Sequence, residues 1–131
     1  MISEKLRKLF YIALVLIYAH VIEELLTGFQ HTDSFMIIGG NLIGTTPEGF
    51  YWILHTIWLL GVPAIYYFFR KSKALLPLAA LFGLVFFVEF HHLIKGLMRM
   101  EYYPGIVTSL IYPVLGFFYW KQIFVDWKKR K

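Results

Sequence analysis

Cysteine is absent from this 131-residue chain, which excludes disulfides and any thiolate-held metal or nucleophile. Charge is scarce as well: 16% of the residues are Asp, Glu, Lys or Arg, against 59% hydrophobic. Soluble domains average about 25% charged and 45–50% apolar, so composition argues against an ordinary water-soluble fold. No lysine or arginine stands between Lys8 and Arg70, or between Lys73 and Lys95. Internal repeats and low-complexity tracts are missing too, and nothing is left over for a separate soluble domain. The chain begins with a basic segment before an apolar one, as a secretory signal does. No small-residue cleavage pattern follows, and three ionisable residues interrupt the end of the run, so a retained helix is expected.

What is present is four apolar runs, each long enough for the roughly 20 helical residues that cross a 30 Å hydrocarbon core. They predict an all-α integral membrane protein, a single four-helix transmembrane bundle with spans at about 6–27, 47–69, 74–98 and 104–120. The net charge of +5 is placed at one end of these spans. Lys5, Arg7 and Lys8 precede the first; Arg70, Lys71 and Lys73 separate the second from the third; Lys121, Lys128, Lys129, Arg130 and Lys131 follow the fourth. Only Lys95 and Arg99 lie elsewhere, and the positive-inside rule then sets both termini in the cytoplasm. The basic tail fits anionic headgroups and not nucleic acid.

Residues 28–46 form an outer connection without Lys or Arg. Its apolar centre, Phe35 to Ile43, is too short to span and suits a short interfacial or re-entrant piece, while His31 and Asp33 are expected in solvent. Thr46-Pro47-Glu48 is a helix start, with a capping hydroxyl, proline in the first turn and then an acid. Pro63 removes one backbone hydrogen bond inside the second span.

The chemistry centres on His20-Val21-Ile22-Glu23-Glu24, inside the first apolar run. Residues three and four apart share a helix face, so both carboxylates project on the side of His20. An ionised side chain at a bilayer centre costs roughly 2.5–3.5 kcal/mol, which a proton, a cationic partner or a metal ion must offset. Counting about 1.5 Å per residue from the basic markers sets His20 roughly 18 Å, Glu23 and Glu24 roughly 22–24 Å, His55 roughly 22 Å, Glu89 roughly 24 Å and His92 roughly 28 Å from the inner face. Three spans therefore bring imidazoles and carboxylates to one layer in the outer third of the membrane.

The spacings suit coordination. His20-x-x-Glu23 and Glu89-x-x-His92 each offer two ligands from one face, and Glu-x-x-His is the pair that di-iron carboxylate bundles project inward. The expected ligands are His20, Glu23, Glu24, His55, Glu89 and His92, holding one or two divalent transition-metal ions. Nitrogen and oxygen donors suit zinc, iron or manganese alike. Glu23 or Glu24, whichever is not a ligand, is the expected general base. His91, turned about 100° from its neighbour, is a weaker candidate for a supporting contact. Gly105, Thr108, Tyr112, Gly116 and Tyr119 recur at three and four: the glycines suit close packing, and the hydroxyls of Thr108 and Tyr112 suit either packing or the orientation of a ligand. Two plainer readings stand beside the metal site: protonated carboxylates bonded to histidines as interhelical glue, and a proton pathway.

His20-Val21-Ile22-Glu23-Glu24, followed at a distance by Glu89-Phe90-His91-His92 and Tyr103-Pro104-Gly105-Ile106-Val107-Thr108, resembles the HXXEE membrane proteins of bacteria and archaea along nearly the whole chain. The resemblance implies a shared membrane fold and a shared site. It implies little about substrate, because no activity is established for that family. The functional expectation is a metal-dependent enzyme acting, by hydrolysis or oxidation, on a lipid-like or extracytoplasmic small substrate. The alternative is a proton- or cation-coupled carrier or channel, with an oligomer as one form of it.

Overall fold

The computed structural model describes residues 2–130, and among them every regular element is helical. Three helices are long and apolar enough to cross a membrane: α1 (Glu4–Thr27), α4 (Pro47–Phe69) and α5 (Leu75–Arg99). Between α1 and α4 lie α2 (Phe29–Thr32) and α3 (Ser34–Ile43). After α5 come the single turn α6 (Ile106–Ser109) and α7 (Tyr112–Lys128). The last helix thus runs eight residues beyond the end at 120 that its apolar run suggests.

Caps set the boundaries. The Ser3 hydroxyl accepts the Leu6 amide at the start of α1, and Gly28, at φ 77°, closes it with a left-handed turn that favours glycine. Thr46 caps α4 through the Gly49 amide with Pro47 in the first turn, as the sequence predicts. Pro63 has no amide to offer the Leu59 carbonyl four residues back, and the preceding turn, Ile57–Gly61, is wound as a π-helix. The Tyr18 hydroxyl of α1 supplies the donor that Leu59 lacks, at 2.7 Å.

The core lies between α1, α5 and α7. Phe10, Ala13, Leu16 and Ile17 of α1 meet Ala79, Phe82 and Phe86 of α5 and Leu115, Tyr119 and Ile123 of α7. Gly116 admits Phe86: a Cβ there would stand 2.9 Å from the Phe86 Cβ. Two side chains of α7 bond carbonyls of α5, Tyr119 to Ala79 at 2.9 Å and Trp120 to Gly83 at 3.0 Å. At the end near both termini, Asp126 accepts the Ser3 amide at 2.7 Å and the Gln122 side chain at 2.8 Å. By contrast, α4 has no buried residue after Tyr51 and leans on α1 through Tyr66 stacked on Phe10, with ring centroids 4.7 Å apart.

The connection between α1 and α4 differs from expectation at one residue. Asp33 is not in solvent. It is buried, caps α3 through the Phe35 amide at 2.8 Å, pairs with Lys95, and accepts the Tyr103 hydroxyl at 2.5 Å. A lone carboxylate in so apolar a loop finds its cation on another helix, which local sequence does not reveal. His31 stays exposed, 3.0 Å from Glu48.

Candidate metal centre

At the far end of the core from the termini, α1, α4 and α5 aim side chains at one point. His20 and Glu24, four residues apart, share the inner face of α1. Glu89 and His92, three apart, do the same on α5, and His55 reaches in from α4. His20, Glu24 and His92 are buried, and Glu89 has 15% of its side chain exposed. His20 Nε2, His92 Nε2 and Glu89 Oε2 form a triangle with sides of 2.9, 3.2 and 3.2 Å. An ion bound tetrahedrally at roughly 2.0–2.1 Å holds its ligand atoms about 3.3 Å apart, so a single point lies at bonding distance from all three atoms. These three residues are a group able to hold a metal ion. Glu24 lies against it: Oε1 is 3.5 Å from His20 Nε2 and 3.3 Å from His92 Nε2, while Oε2 is 3.2 Å from His55 Nε2.

The partners of the opposite ring nitrogens decide what these histidines present. His92 Nδ1 is 2.6 Å from the Pro104 carbonyl and His55 Nδ1 is 2.8 Å from the Tyr51 carbonyl. A carbonyl only accepts, so each Nδ1 carries a proton and each Nε2 turns inward, where it can coordinate when the ring is neutral. His20 Nδ1 is 2.6 Å from the Thr108 hydroxyl, which itself donates to Glu23 Oε2 at 2.6 Å. That hydroxyl has one proton, so it accepts from His20, whose Nε2 also faces inward. Three Nε2 atoms and two carboxylates therefore converge on one small space. Glu89 Oε2 and the nearby Tyr112 hydroxyl are buried without a hydrogen-bond partner. Such a set repels itself unless protons or a cation sit among it. Metal-binding histidines characteristically donate their other N–H to a carbonyl or a carboxylate-backed group, which is the pattern here.

Among the expected ligands, Glu23 does not join the group. One position from Glu24 is about 100° on a helix, and that rotation carries Glu23 to the α6 side. There it accepts the Thr108 and Val107 amides at 2.8 and 3.0 Å, the Thr108 hydroxyl, and the Tyr102 hydroxyl at 2.8 Å. With four donors on two oxygens it is neither a ligand nor a free base. It orients His20 through Thr108. His91 bonds the Val88 carbonyl at 2.9 Å and packs its ring 3.9 Å from that of His92. Thr108 orients a ligand, whereas Tyr112 touches His20 only by its ring, at 5.4 Å between centroids.

No known protein family, curated protein or solved structure matches this chain. Two further residues shape the site: Tyr51, which the spacing argument passes over, and Gly105, expected only as a packing glycine. The Tyr51 hydroxyl donates to Glu24 Oε2 at 3.0 Å; its place one turn before His55 on the same face of α4 is the signal that identifies it. Gly105, at φ 83°, brings the chain against both imidazoles, and a Cβ there would lie 2.7 Å from His20 Cε1 and 2.8 Å from His92 Cε1. A positive φ and a close approach both require glycine at this position.

Proposed function

We propose that this chain is a small metal-dependent membrane enzyme of the HXXEE kind, its ion held by His20, His92 and Glu89 with Glu24 alongside, acting by hydrolysis or oxidation on a lipid-like or extracytoplasmic small substrate. The observation that carries this reading is the convergence of three inward Nε2 atoms on two carboxylates, each imidazole fixed from behind by an acceptor. A divalent ion bound there would supply a Lewis acid and an activated water. Glu24 is the proton acceptor in this reading, its Oε1 facing the two coordinating nitrogens and its Oε2 steadied by Tyr51 and His55. Glu23 and Thr108 hold His20 in the coordinating tautomer. Zinc, iron and manganese all accept this donor set.

The topology belongs to the same proposal: four crossings in a prokaryotic plasma membrane, both termini cytoplasmic, with α6 and α7 completing the fourth. Val114, Phe117 and Phe124 turn outward from α7 as a lipid-facing surface should, and the basic residues gather at the end with the termini. A carrier needs polar groups continuing to that end, but the core there is Phe10, Ala13, Phe82, Phe86 and Tyr119, which favours catalysis over conduction.

Elemental analysis of protein purified without chelators tests the proposal. The expected result is about one equivalent of a transition metal, falling below roughly a tenth in His92→Ala and Glu89→Gln. Metal-free wild-type protein that takes up none of the three ions on reconstitution would overturn it. So would liposome flux of protons or cations that Glu24→Gln abolishes.

A further inference from the structure

We infer that the seam between α4 and α5 is a lateral groove that receives the single acyl chain of an amphiphile and presents its oxygen-bearing head to the candidate metal centre. The inference rests on that centre being the working site, and it chooses between the two substrate sources left open above.

Two cavities lie along this seam. The one beside the centre has a volume of about 410 Å³; His20, His55 and Glu89 form its polar wall and Leu54, Trp58 and Val85 its apolar one. The second, about 220 Å³, continues toward the end with the termini between Gly61, Val62 and Ile65 of α4 and Ala79 and Phe82 of α5. Trp58 lines both, so its indole stands where the two meet, and one rotation of that side chain would join them. A helix packed directly on its neighbour buries a stripe of side chains. Over this length α4 half-buries Leu59, Val62 and Tyr66 and fully buries none, and its π-helical turn, Ile57–Gly61, falls at the middle of the cleft. Such turns often mark functional sites. A Cβ built on Gly61 would have its nearest neighbour 4.0 Å away, at Ile57 Cγ2, so the space beside it is open.

On the outer side the cavity runs under the connection, where Phe29, Asp33 and Lys95 also line it. Phe29 is buried over the centre, with its ring 5.0 Å from that of His92 and 6.2 Å from those of Tyr51 and Tyr103. Asp33, Lys95 and Tyr103 are bonded together beside it. The cleft opens toward lipid past Trp58 and Val88, which are 38% and 61% exposed. Its apolar length admits a hydrocarbon chain and nothing charged. Its polar end holds the buried, unpartnered Tyr112 hydroxyl, a donor for which a head-group oxygen is the fitting acceptor. Pockets of this kind, mostly apolar with a few convergent polar groups, are the usual form of small-molecule sites.

Photolabelling of the full chain in lipid nanodiscs tests the groove, with a long-chain fatty acid carrying a mid-chain diazirine as probe. The expected adducts fall on 57–62 and 78–82 and are competed by excess unlabelled fatty acid. Gly61→Leu, which fills the cleft, should cut that labelling several-fold, and Tyr112→Phe should weaken the competition several-fold with metal content unchanged. Adducts spread evenly over outward residues such as Val15, Val114 and Phe117, without competition, would overturn the groove. So would full, competed labelling in Gly61→Leu. Metal measured on the same samples separates the two claims. Competed seam labelling in protein that binds no metal contradicts the centre and not the groove, and metal-replete protein without competed labelling does the reverse.

Discussion

The Nδ1 proton of His92 is committed to the Pro104 carbonyl, and that bond turns Nε2 toward the centre. His20 depends in the same way on Thr108, which depends on Glu23. Thr108→Val removes the acceptor behind His20 and should weaken metal binding about 10–100-fold, as loss of such supporting bonds does elsewhere. Competition with a chromogenic chelator reads the loss, and unchanged affinity would contradict the relay. Gly105→Ala should remove metal altogether, because the new methyl group strikes both imidazoles and strains a left-handed residue. Retention of wild-type stoichiometry in that variant would show that the loop does not need to approach so closely. His20, Glu24, His55, Glu89 and His92 are legible from spacing and depth. The division of labour between Glu23 and Glu24 is not, because it turns on a rotation of about 100° that both apolar flanks tolerate.

Among elements, the cover over the centre is tied to α5 by the Asp33–Lys95 pair. Burial, the largest influence on Asp33, pushes its carboxyl up, but the Lys95 ammonium and the Tyr103 hydroxyl outweigh it and leave the group below its ordinary value. A carboxyl depressed in the folded state stabilises fully above its unfolded value, about 3.9, and that stability fades as pH falls below it toward the folded value. Hydrogen-exchange protection of 29–43 should therefore be flat from about pH 7 to pH 5 and fall below about pH 4. Asp33→Asn should lower protection at neutral pH and abolish the fall. A wild-type profile without any change below pH 4 would contradict the clasp. The long helices are legible because apolar runs bounded by basic residues and caps leave few alternatives. The Asp33 pairing is not, because its partner lies 62 residues away on α5. The π turn of α4 likewise follows from Pro63 only once Tyr18 is known to take the Leu59 carbonyl.

For the whole molecule, the absence of cysteine makes orientation directly testable. Single substitutions Lys71→Cys and Lys129→Cys should react with a membrane-impermeant maleimide only after the membrane is opened, whereas Glu101→Cys should react in intact cells. The opposite pattern, or Lys71→Cys and Lys129→Cys on different sides, would contradict four crossings with both termini inside. Beneath fold and topology lies one claim, that His20, His92 and Glu89 ligate an ion in a dry layer between helices. X-ray absorption at the edge of the bound metal tests it most directly. The account predicts a first shell of nitrogen and oxygen only, at roughly 2.0–2.1 Å, with the outer-shell scattering of two imidazoles that drops to one in His92→Ala. A shell of water oxygens without imidazole scattering, or a spectrum indifferent to His92→Ala, would contradict it.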